Sequence, residues 1–387
     1  MKPARLVALL TSALTLPAIV PGTSSAATGL FGSPRSSVVG HLYVNDNTAG
    51  ENTVAGFDRR SDGSLTPIPG SPFRAGGAGT GAGVGSQGAL QESADGRYLL
   101  AVDAGSGQIS VLRITPDGGV RPVSGGPVSS GGAEPVSVAV NGGLVYVANG
   151  GSGANNYTGF TLNRSGHLRP LAGSTIVLPE GSEPGDVLFN PSGTNLVGVR
   201  VKTSLIDSFA VGADGRLTTA PESPIAAQGP GPFGSEFRPT DPNQLFVSNA
   251  HGGAAAGTVS AFDVADDGAL SSIGESPFAD HETAPCWVEI SHDGQFLFTV
   301  NTASNSISRY EIAPTGSLEL LGSTPLKEAG AGAEDARLDP EGDVLFVVET
   351  AGRAVAGFSA DGGALTALAS SPTPLPSNSA PFGIVVN

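Results

Sequence analysis

The sequence has 387 residues, a formal net charge of −16 at pH 7, 57 glycines, 30 prolines and one cysteine. The negative charge repels a phosphate backbone and argues against nucleic-acid binding, and a single cysteine excludes an intrachain disulfide. Glycine and proline at this abundance disfavour long helices, so the composition favours an all-β chain.

The N-terminal segment, residues 1–27, has the pattern of a secretory signal peptide. Lys2 and Arg5 precede an apolar stretch from Leu6 to Val20, and small residues follow at 24–27. This order of charge, apolar run and small residues is typical of exported proteins. The stretch is shorter than the roughly 20 residues of a bilayer span, and no later stretch is longer. We therefore predict a secreted protein without a membrane span, with a flexible tail over residues 28–39.

A repeat with a period near 50 residues organises the rest of the chain. A polar residue followed by glycine recurs at this spacing, and glycine accepts the positive φ of a tight hairpin turn. The pairs are Asp62-Gly63, Asp117-Gly118, Ser165-Gly166, Asp214-Gly215, Asp267-Gly268, Thr315-Gly316 and Asp361-Gly362. Seven such turns predict seven structural units.

A second series supports the same count. Each unit has an apolar run typical of a buried strand, such as Leu297-Phe298-Thr299, and a polar residue two positions after it. These polar residues are Asp46, Asp103, Asn149, Arg200, Asn249, Asn301 and Glu349. Their recurrence predicts that the strand ends there.

Each unit contains four short strands, which in the clearest copy are residues 285–290, 295–301, 307–312 and 318–321. Several units end alike, at Ser71-Pro72, Ser223-Pro224, Ser276-Pro277 and Ser371-Pro372. Such units predict an all-β, seven-bladed β-propeller with four-stranded antiparallel blades over residues 40–387. The first copy lacks its inner strand, and residues 381–386 supply it, so the C-terminal strand closes the ring. A ring closed on itself favours a monomer.

The string Leu297-Phe298-Thr299-Val300-Asn301, with Ser291-His292-Asp293-Gly294 before it, resembles the YVTN-type propeller repeat. Through it the chain resembles the seven-bladed propeller lactonase family, which includes 6-phosphogluconolactonase-like and carboxymuconate-lactonising enzymes. The resemblance implies opening of a small lactone, sugar-like or aliphatic, at the mouth of the central channel, with no cofactor. The alternative is a noncatalytic secreted propeller that binds a carbohydrate, a small molecule or a protein.

The first strand of each blade lines the channel of a propeller. Alignment of these strands by their starts gives one equivalent position, occupied by Gln91, Ala139, Leu188, Glu236, Glu289 and Arg337. Asp186 and Asp335 stand two residues earlier in their own blades. Polar side chains here fit a ligand site and also fit a merely hydrated channel.

The densest chemical cluster is Asp280-His281-Glu282, in the connection leading to Cys286 and Trp287. Histidine serves as a general base near neutral pH, and a cation stabilises the oxyanion of lactone opening. The predicted catalytic residues are His281, Glu282, Glu289 and Arg337. The predicted substrate-binding residues are Glu236, His251, Arg200, Trp287 and Asp186.

The sequence bears on four other kinds of site. Cys286 as a nucleophile competes with its use as a small buried residue, and no zinc spacing is present. Calcium is conceivable only if Asp186, Glu236, Glu289 and Asp335 converge. Residues 83–88 have the form Gly-x-Gly-x-x-Gly, but a strand follows them where a dinucleotide site needs a helix. We expect a flexible loop between blades there.

Overall fold

The computed structural model describes residues 36–387, so the predicted signal peptide lies outside the described residues. Strands β1 to β34 form seven separate antiparallel sheets, one for each predicted unit. This confirms the all-β, seven-bladed propeller. No helix within residues 36–387 has the length and apolar character needed to cross a membrane.

The strands form four layers from the channel outwards. The innermost strands of blades 1 to 7 are β34 (Phe382–Val386), β5 (Leu90–Glu92), β10 (Pro135–Asn141), β15 (Pro184–Phe189), β20 (Pro232–Arg238), β25 (Pro285–Ile290) and β29 (Ala333–Leu338). The second strands are β1 (Val38–Asn45), β6 (Tyr98–Asp103), β11 (Leu144–Asn149), β16 (Asn195–Arg200), β21 (Asp241–Asn249), β26 (Phe296–Asn301) and β30 (Val344–Glu349).

The third strands are β2 (Thr53–Arg60), β7 (Gln108–Ile114), β12 (Asn156–Leu162), β17 (Leu205–Val211), β22 (Thr258–Val264), β27 (Ser306–Ile312) and β31 (Ala354–Asp361). The outer strand is continuous only in blade 6, as β28 (Leu318–Pro325). Elsewhere it is broken into the pairs β3 (Leu65–Pro67) and β4 (Phe73–Arg74), β8 (Val120–Pro122) and β9 (Val128–Ser129), β13 (Leu168–Pro170) and β14 (Ile176–Val177), β18 (Leu217–Thr219) and β19 (Ile225–Ala226), β23 (Leu270–Ser272) and β24 (Phe278–Ala279), and β32 (Ala364–Ala367) and β33 (Thr373–Pro374).

The recurrent Ser-Pro pair has a local role at this break. In blade 4 the Ser223 hydroxyl accepts a hydrogen bond from the amide of Ser208 on the third strand, at 2.9 Å. The hydroxyl of Ser276 accepts from the amide of Ala261 in the same way, at 2.7 Å. The serine therefore satisfies a third-strand amide that the interrupted outer strand leaves without a partner.

The ring closes as the sequence predicts. Strand β1 lies between β2 and β34, with Tyr43 opposite Val385. Each innermost strand contacts the next, and β29 contacts β34, so the seven blades form one closed ring. Strand β1 begins at Val38, so the last residues of the predicted tail belong to the first blade.

In six blades the polar residue after the buried run is the last residue of the second strand, and in blade 1 Asp46 directly follows that strand. In most blades this residue ties the second strand to the third. The Asn301 amide nitrogen lies 2.8 Å from the Ser308 hydroxyl, and Asn249 bonds Ser260 at the same distance. Blade 7 differs because its Glu349 carboxylate is buried without a hydrogen-bond partner within residues 36–387, and burial raises its pKa to about 7.

Candidate functional site at the channel mouth

The strand register confirms that the aligned residues of the innermost strands occupy one equivalent position, which we call the channel-lining row. In blade 6, Glu289 lies opposite Phe298, three residues before the end of the second strand. Arg337 lies opposite Phe346 at the same step of blade 7. Gln91, Ala139, Leu188 and Glu236 occupy the equivalent step in their blades.

Arg337 holds the centre of a charged cluster inside the channel. Its Nη1 lies 3.0 Å from Glu289 Oε2 and 3.6 Å from Glu236 Oε2. The other Glu289 oxygen accepts the backbone amide of Leu338 at 2.9 Å. Desolvation raises the pKa of Glu236 although Arg337 opposes the shift. These three predicted site residues therefore meet, with their charges largely directed at one another.

Asp186 and Asp335 join blades together. Asp186 accepts hydrogen bonds from the Ser235 hydroxyl at 2.6 Å and the Ser137 hydroxyl at 3.1 Å. Asp335 accepts the amide of Gly88 at 3.3 Å. Burial raises the pKa of both carboxyls to about 7. Within residues 36–387 no group of three or more His, Cys, Asp or Glu is placed to hold a metal ion, so the calcium interpretation has no geometric support.

Residues 83–88, which we call the plug, cross the channel. Ser86 and Gln87 are buried. The Ser86 hydroxyl donates to Val136 O in blade 3 at 2.6 Å, and the Gln87 amide donates to Gly185 O in blade 4 at 3.0 Å. The expectation of a flexible loop is wrong for Ser86 and Gln87, because these contacts fix them to the channel wall.

The plug also reaches the other side of the channel. The Gln87 side chain donates to Ser235 O in blade 5 at 2.8 Å and accepts the amide of Val288 in blade 6 at 3.0 Å. A side chain at Gly234 would collide with Gln87 Oε1 and with the blade 6 backbone. Glycine at 234 therefore lets the Gln87 side chain approach the wall. The bond from Gly88 to Asp335 adds blade 7, so the plug links blades 3 to 7.

A cavity of about 450 Å³ lies over the plug on the face of the blade connections. Its lining comes from the plug, from the connections that open blades 3 and 4, and from the loops after the second strands of blades 3 to 5. The lining residues are Gly83, Val84, Gly85, Glu134, Val136, Gly150, Ser152, Glu183, Pro184, Val201, Phe233 and His251. We call this cavity the mouth pocket.

Glu134 and Glu183 occupy equivalent positions, directly before the innermost strands of blades 3 and 4. Both have positive φ, 51° and 48°, and the backbone carbonyl of each accepts an amide from the loop after the second strand, at 2.9 Å and 3.0 Å. Blade 5 has Gly231 at this position, with φ 66°. Positive φ is costly for glutamate and costs glycine nothing. A strained residue in a pocket wall is a reason to consider a function for it.

His251 takes the corresponding place in blade 5. Its amide donates to Pro230 O at 3.0 Å, and a Cβ added at Gly231 would collide with its imidazole ring. Glycine at 231 thus makes room for the imidazole, in the position where the neighbouring blades have glutamate. Three consecutive blades therefore place Glu134, Glu183 and His251 around one pocket.

The floor of the mouth pocket offers backbone donors. The amides of Gly83, Val84 and Gly85 make no hydrogen bond to any of residues 36–387. Lys202 does not line the pocket, but its Nζ pairs with Oε1 of the lining residue Glu183 at 2.7 Å. Unpaired amides in a pocket wall can receive a carbonyl oxygen or an oxyanion.

The structure separates the predicted catalytic residues into two places. Glu282 accepts the hydroxyl of Ser323 at 2.6 Å, on outer strand β28 of its blade. That strand lies three strand spacings, roughly 14 Å, from innermost strand β25, which carries Glu289. His281 is exposed in the same connection. His281 and Glu282 therefore do not form one site with Glu289 and Arg337.

Arg200 and Trp287 serve the fold. Both nitrogens of the Arg200 fork bind the carboxylate of Asp207, with Nε to Oδ2 at 2.7 Å, and the side chain is buried. Trp287 is 2% exposed, donates its indole N–H to Ser86 O at 2.8 Å and packs between Phe233 and Phe382. Neither residue is free to bind a substrate as predicted, because internal partners occupy both.

Cys286 is buried beside Trp287, and desolvation raises the pKa of its thiol to about 12. A thiol that stays protonated is a poor nucleophile, so the structure favours its interpretation as a small buried residue.

Sequence reasoning missed Glu134, Glu183 and Lys202. The available signal was the dipeptide Glu-Pro, which opens blades 3 and 4 where blade 5 has Gly-Pro and blade 6 has Ala-Pro. The strand register confirms that these four prolines are equivalent.

The comparisons with known proteins agree with this fold. Residues 237–381 match the family described as lactonase, 7-bladed beta-propeller. No curated protein matches the sequence. A candidate 6-phosphogluconolactonase from Bacteroides uniformis superposes with a TM-score of 0.70 at 20% identity, covering 89% of this chain and 98% of that one.

A candidate 6-phosphogluconolactonase from Bacteroides fragilis gives a TM-score of 0.69 at 20% identity, covering 91% of this chain and 99% of that one. The periplasmic gluconolactonase of Pseudomonas aeruginosa gives 0.71 at 18% identity, covering 89% and 98%. At these identities the superpositions show a shared fold. Together with the family match over residues 237–381, they confirm the predicted resemblance to the seven-bladed β-propeller lactonase family.

Proposed function

We propose that this protein is a secreted hydrolase that opens the ring of a small lactone in the mouth pocket. The observation that carries the proposal is the pocket itself, whose lining includes an exposed histidine, two glutamates and three residues whose amides have no partner within residues 36–387. Its size suits a small ligand. The lactonase-family match and the neighbouring folds support the choice of reaction, and the N-terminal sequence supports export.

In this proposal His251 is the general base. Its neutral imidazole takes a proton from water as the water oxygen attacks the lactone carbonyl. The carbonyl oxygen becomes an oxyanion, and the amides of Gly83, Val84 and Gly85 stabilise it by hydrogen bonding. The ring C–O bond then breaks, and the ring oxygen leaves with the proton that His251 carries. One water is consumed and one hydroxy acid is formed.

The test is hydrolysis of unphosphorylated sugar lactones and aliphatic lactones by the purified protein, followed by acid release at constant pH. We expect His251→Ala to lower kcat by at least about 100-fold, the usual contribution of a general base. His281→Ala is the matched control, because His281 is also an exposed loop histidine but lies outside the mouth pocket.

Loss of activity in His281→Ala with full activity in His251→Ala would overturn the assignment of the base. Binding of lactones without any turnover above the spontaneous rate would support the noncatalytic alternative. Trp287 provides the binding signal, since it is the only tryptophan and its ring centroid lies 5.3 Å from that of Phe233, which lines the pocket.

A further inference from the structure

The carboxylates that line the mouth pocket are not fully balanced by positive charges. Glu134 makes no ion pair within residues 36–387, while Glu183 is paired with Lys202. His251 is the one other titratable residue of the lining. The pocket therefore holds a net negative charge when His251 is neutral, and the chain around it is acidic overall, at −16.

Phosphate-binding sites are built differently. A phosphorylated or carboxylated ligand is commonly held by guanidinium or ammonium groups that are not already paired, often as bidentate arginine contacts. Two arginines were predicted as site residues. Of these, Arg200 is paired with Asp207. Arg337 binds Glu289 in the channel and does not line the mouth pocket.

From this charge distribution we propose that the mouth pocket selects uncharged lactones and rejects phosphorylated or carboxylated ones, with Glu134 and Glu183 as the residues that discriminate. The inference rests on the proposed function. The two glutamates act on the ligand through space, so their effect is electrostatic repulsion of an anionic substituent. Blades 5 and 6 have Gly231 and Ala284 at the same positive-φ position, so the backbone there does not require a glutamate.

The experiment uses one pair of substrates that differ only in a phosphate, glucono-1,5-lactone and its 6-phosphate. Binding is measured by Trp287 fluorescence and turnover by acid release. We expect kcat/KM to favour the uncharged lactone by at least about tenfold at 0.01 M ionic strength, which corresponds to about 1.4 kcal/mol. The preference should shrink at 1 M salt, where the Debye length falls to about 3 Å.

The variant is the double substitution Glu134→Gln with Glu183→Gln, which keeps size and backbone and removes both charges. We expect the preference to fall at least threefold, mainly through KM for the phosphorylated lactone. Glu222→Gln is the matched control, since Glu222 also has positive φ, 61°, but lies outside the mouth pocket. It should leave the preference unchanged.

The two proposals fail in different ways. If neither lactone is bound or hydrolysed, the proposed function is overturned. If both are hydrolysed equally well, or if the preference survives in the double variant and in 1 M salt, the function stands and the charge selection is overturned.

Discussion

Glu134 and Glu183 hold a backbone conformation that glycine adopts at the same position of blades 5 and 7, where Gly231 and Gly332 have φ of 66° and 65°. In each of these four blades the residue's carbonyl accepts the first amide after the second strand. The conformation is thus imposed by the blade, whatever residue stands there. A side chain with a Cβ at this position reduces stability, and three blades carry one, as Glu134, Glu183 and Ala284.

We predict that Glu134→Gly is at least as stable as Glu134→Ala, because alanine keeps a Cβ at the positive φ of residue 134. Glycine relieves the αL strain, worth about 1 to 2 kcal/mol, but loses about 0.5 to 1 kcal/mol to the entropy of the unfolded chain. We therefore expect the free energy of unfolding of the glycine variant to exceed that of the alanine variant by up to about 1.5 kcal/mol, measured by urea unfolding.

Both variants lack the carboxylate, so both should show the weakened discrimination against the phosphorylated lactone. A glycine variant less stable than the alanine variant would mean that φ at 134 is not a source of strain.

Among the structural elements, the plug determines how the central channel is divided. It passes from the connection after blade 1 into the innermost strand of blade 2, and on the way it bonds five other blades. Its contacts lie earlier along the innermost strands than the row that contains Glu289 and Arg337. The plug therefore lies between the mouth pocket and the charged cluster. It also supplies the pocket floor, so its position sets the depth available to a ligand.

We predict that Trp287→Phe loosens the plug without disturbing the blades. The substitution removes the indole N–H donated to Ser86 O at 2.8 Å and keeps a ring between Phe233 and Phe382. A buried carbonyl left without its donor costs about 1 to 3 kcal/mol. We expect hydrogen exchange at the amides of Gln87 and Gly88 to accelerate at least tenfold, read by mass spectrometry.

Phe382→Leu is the control, because it removes a ring contact and leaves the indole N–H in place. Equal protection of the plug in the parent and in Trp287→Phe would show that the bond to Ser86 does not hold the plug. The same variant also tests the proposed oxyanion site. A displaced plug should lower kcat for lactone hydrolysis more than it raises KM.

The sequence predicted the architecture of the whole molecule because the same blade pattern recurs seven times. Each copy indicates the same register of its strands. The hairpin glycines, the buried runs and the polar strand ends fall at equivalent positions in the structure, and so does the row from Gln91 to Arg337. Even the closing strand was identifiable, since residues 381–386 repeat the start of a complete blade.

The site was less accessible to sequence reasoning, for a physical reason. Gln87 bonds Ser235, 148 residues away, and the Trp287 bond to Ser86 spans 201 residues. Such contacts leave no local pattern, and a glycine-rich segment fixed by distant partners has the same composition as a flexible loop. His281 and Glu282 were predicted to be catalytic because ionisable groups are concentrated at residues 280–282. In the structure Glu282 accepts a hydrogen bond from Ser323 on the outer strand of its own blade.

Ring closure gives the last prediction. The C-terminal strand β34 is the innermost strand of blade 1, and Asn387 and His41 exchange backbone hydrogen bonds at 2.9 Å in both directions. A chain ending at Pro381 would leave β1 with an unpaired edge and remove the buried side chains of Phe382 and Ile384. Loss of two such side chains costs about 5 to 10 kcal/mol, comparable to the whole stability of a domain.

We expect the truncated chain to be insoluble or to associate through the open edge, measured by size-exclusion chromatography and circular dichroism. The matched control places residues 381–387 in front of residue 38 through a short glycine-containing turn, with the chain again ending at Pro381. Because Asn387 already pairs with His41, this rearranged chain should restore the blade and fold as a monomer. A truncated chain that remained monomeric and cooperatively folded would show that β34 is dispensable, and that packing between the other six complete blades is sufficient to hold the ring.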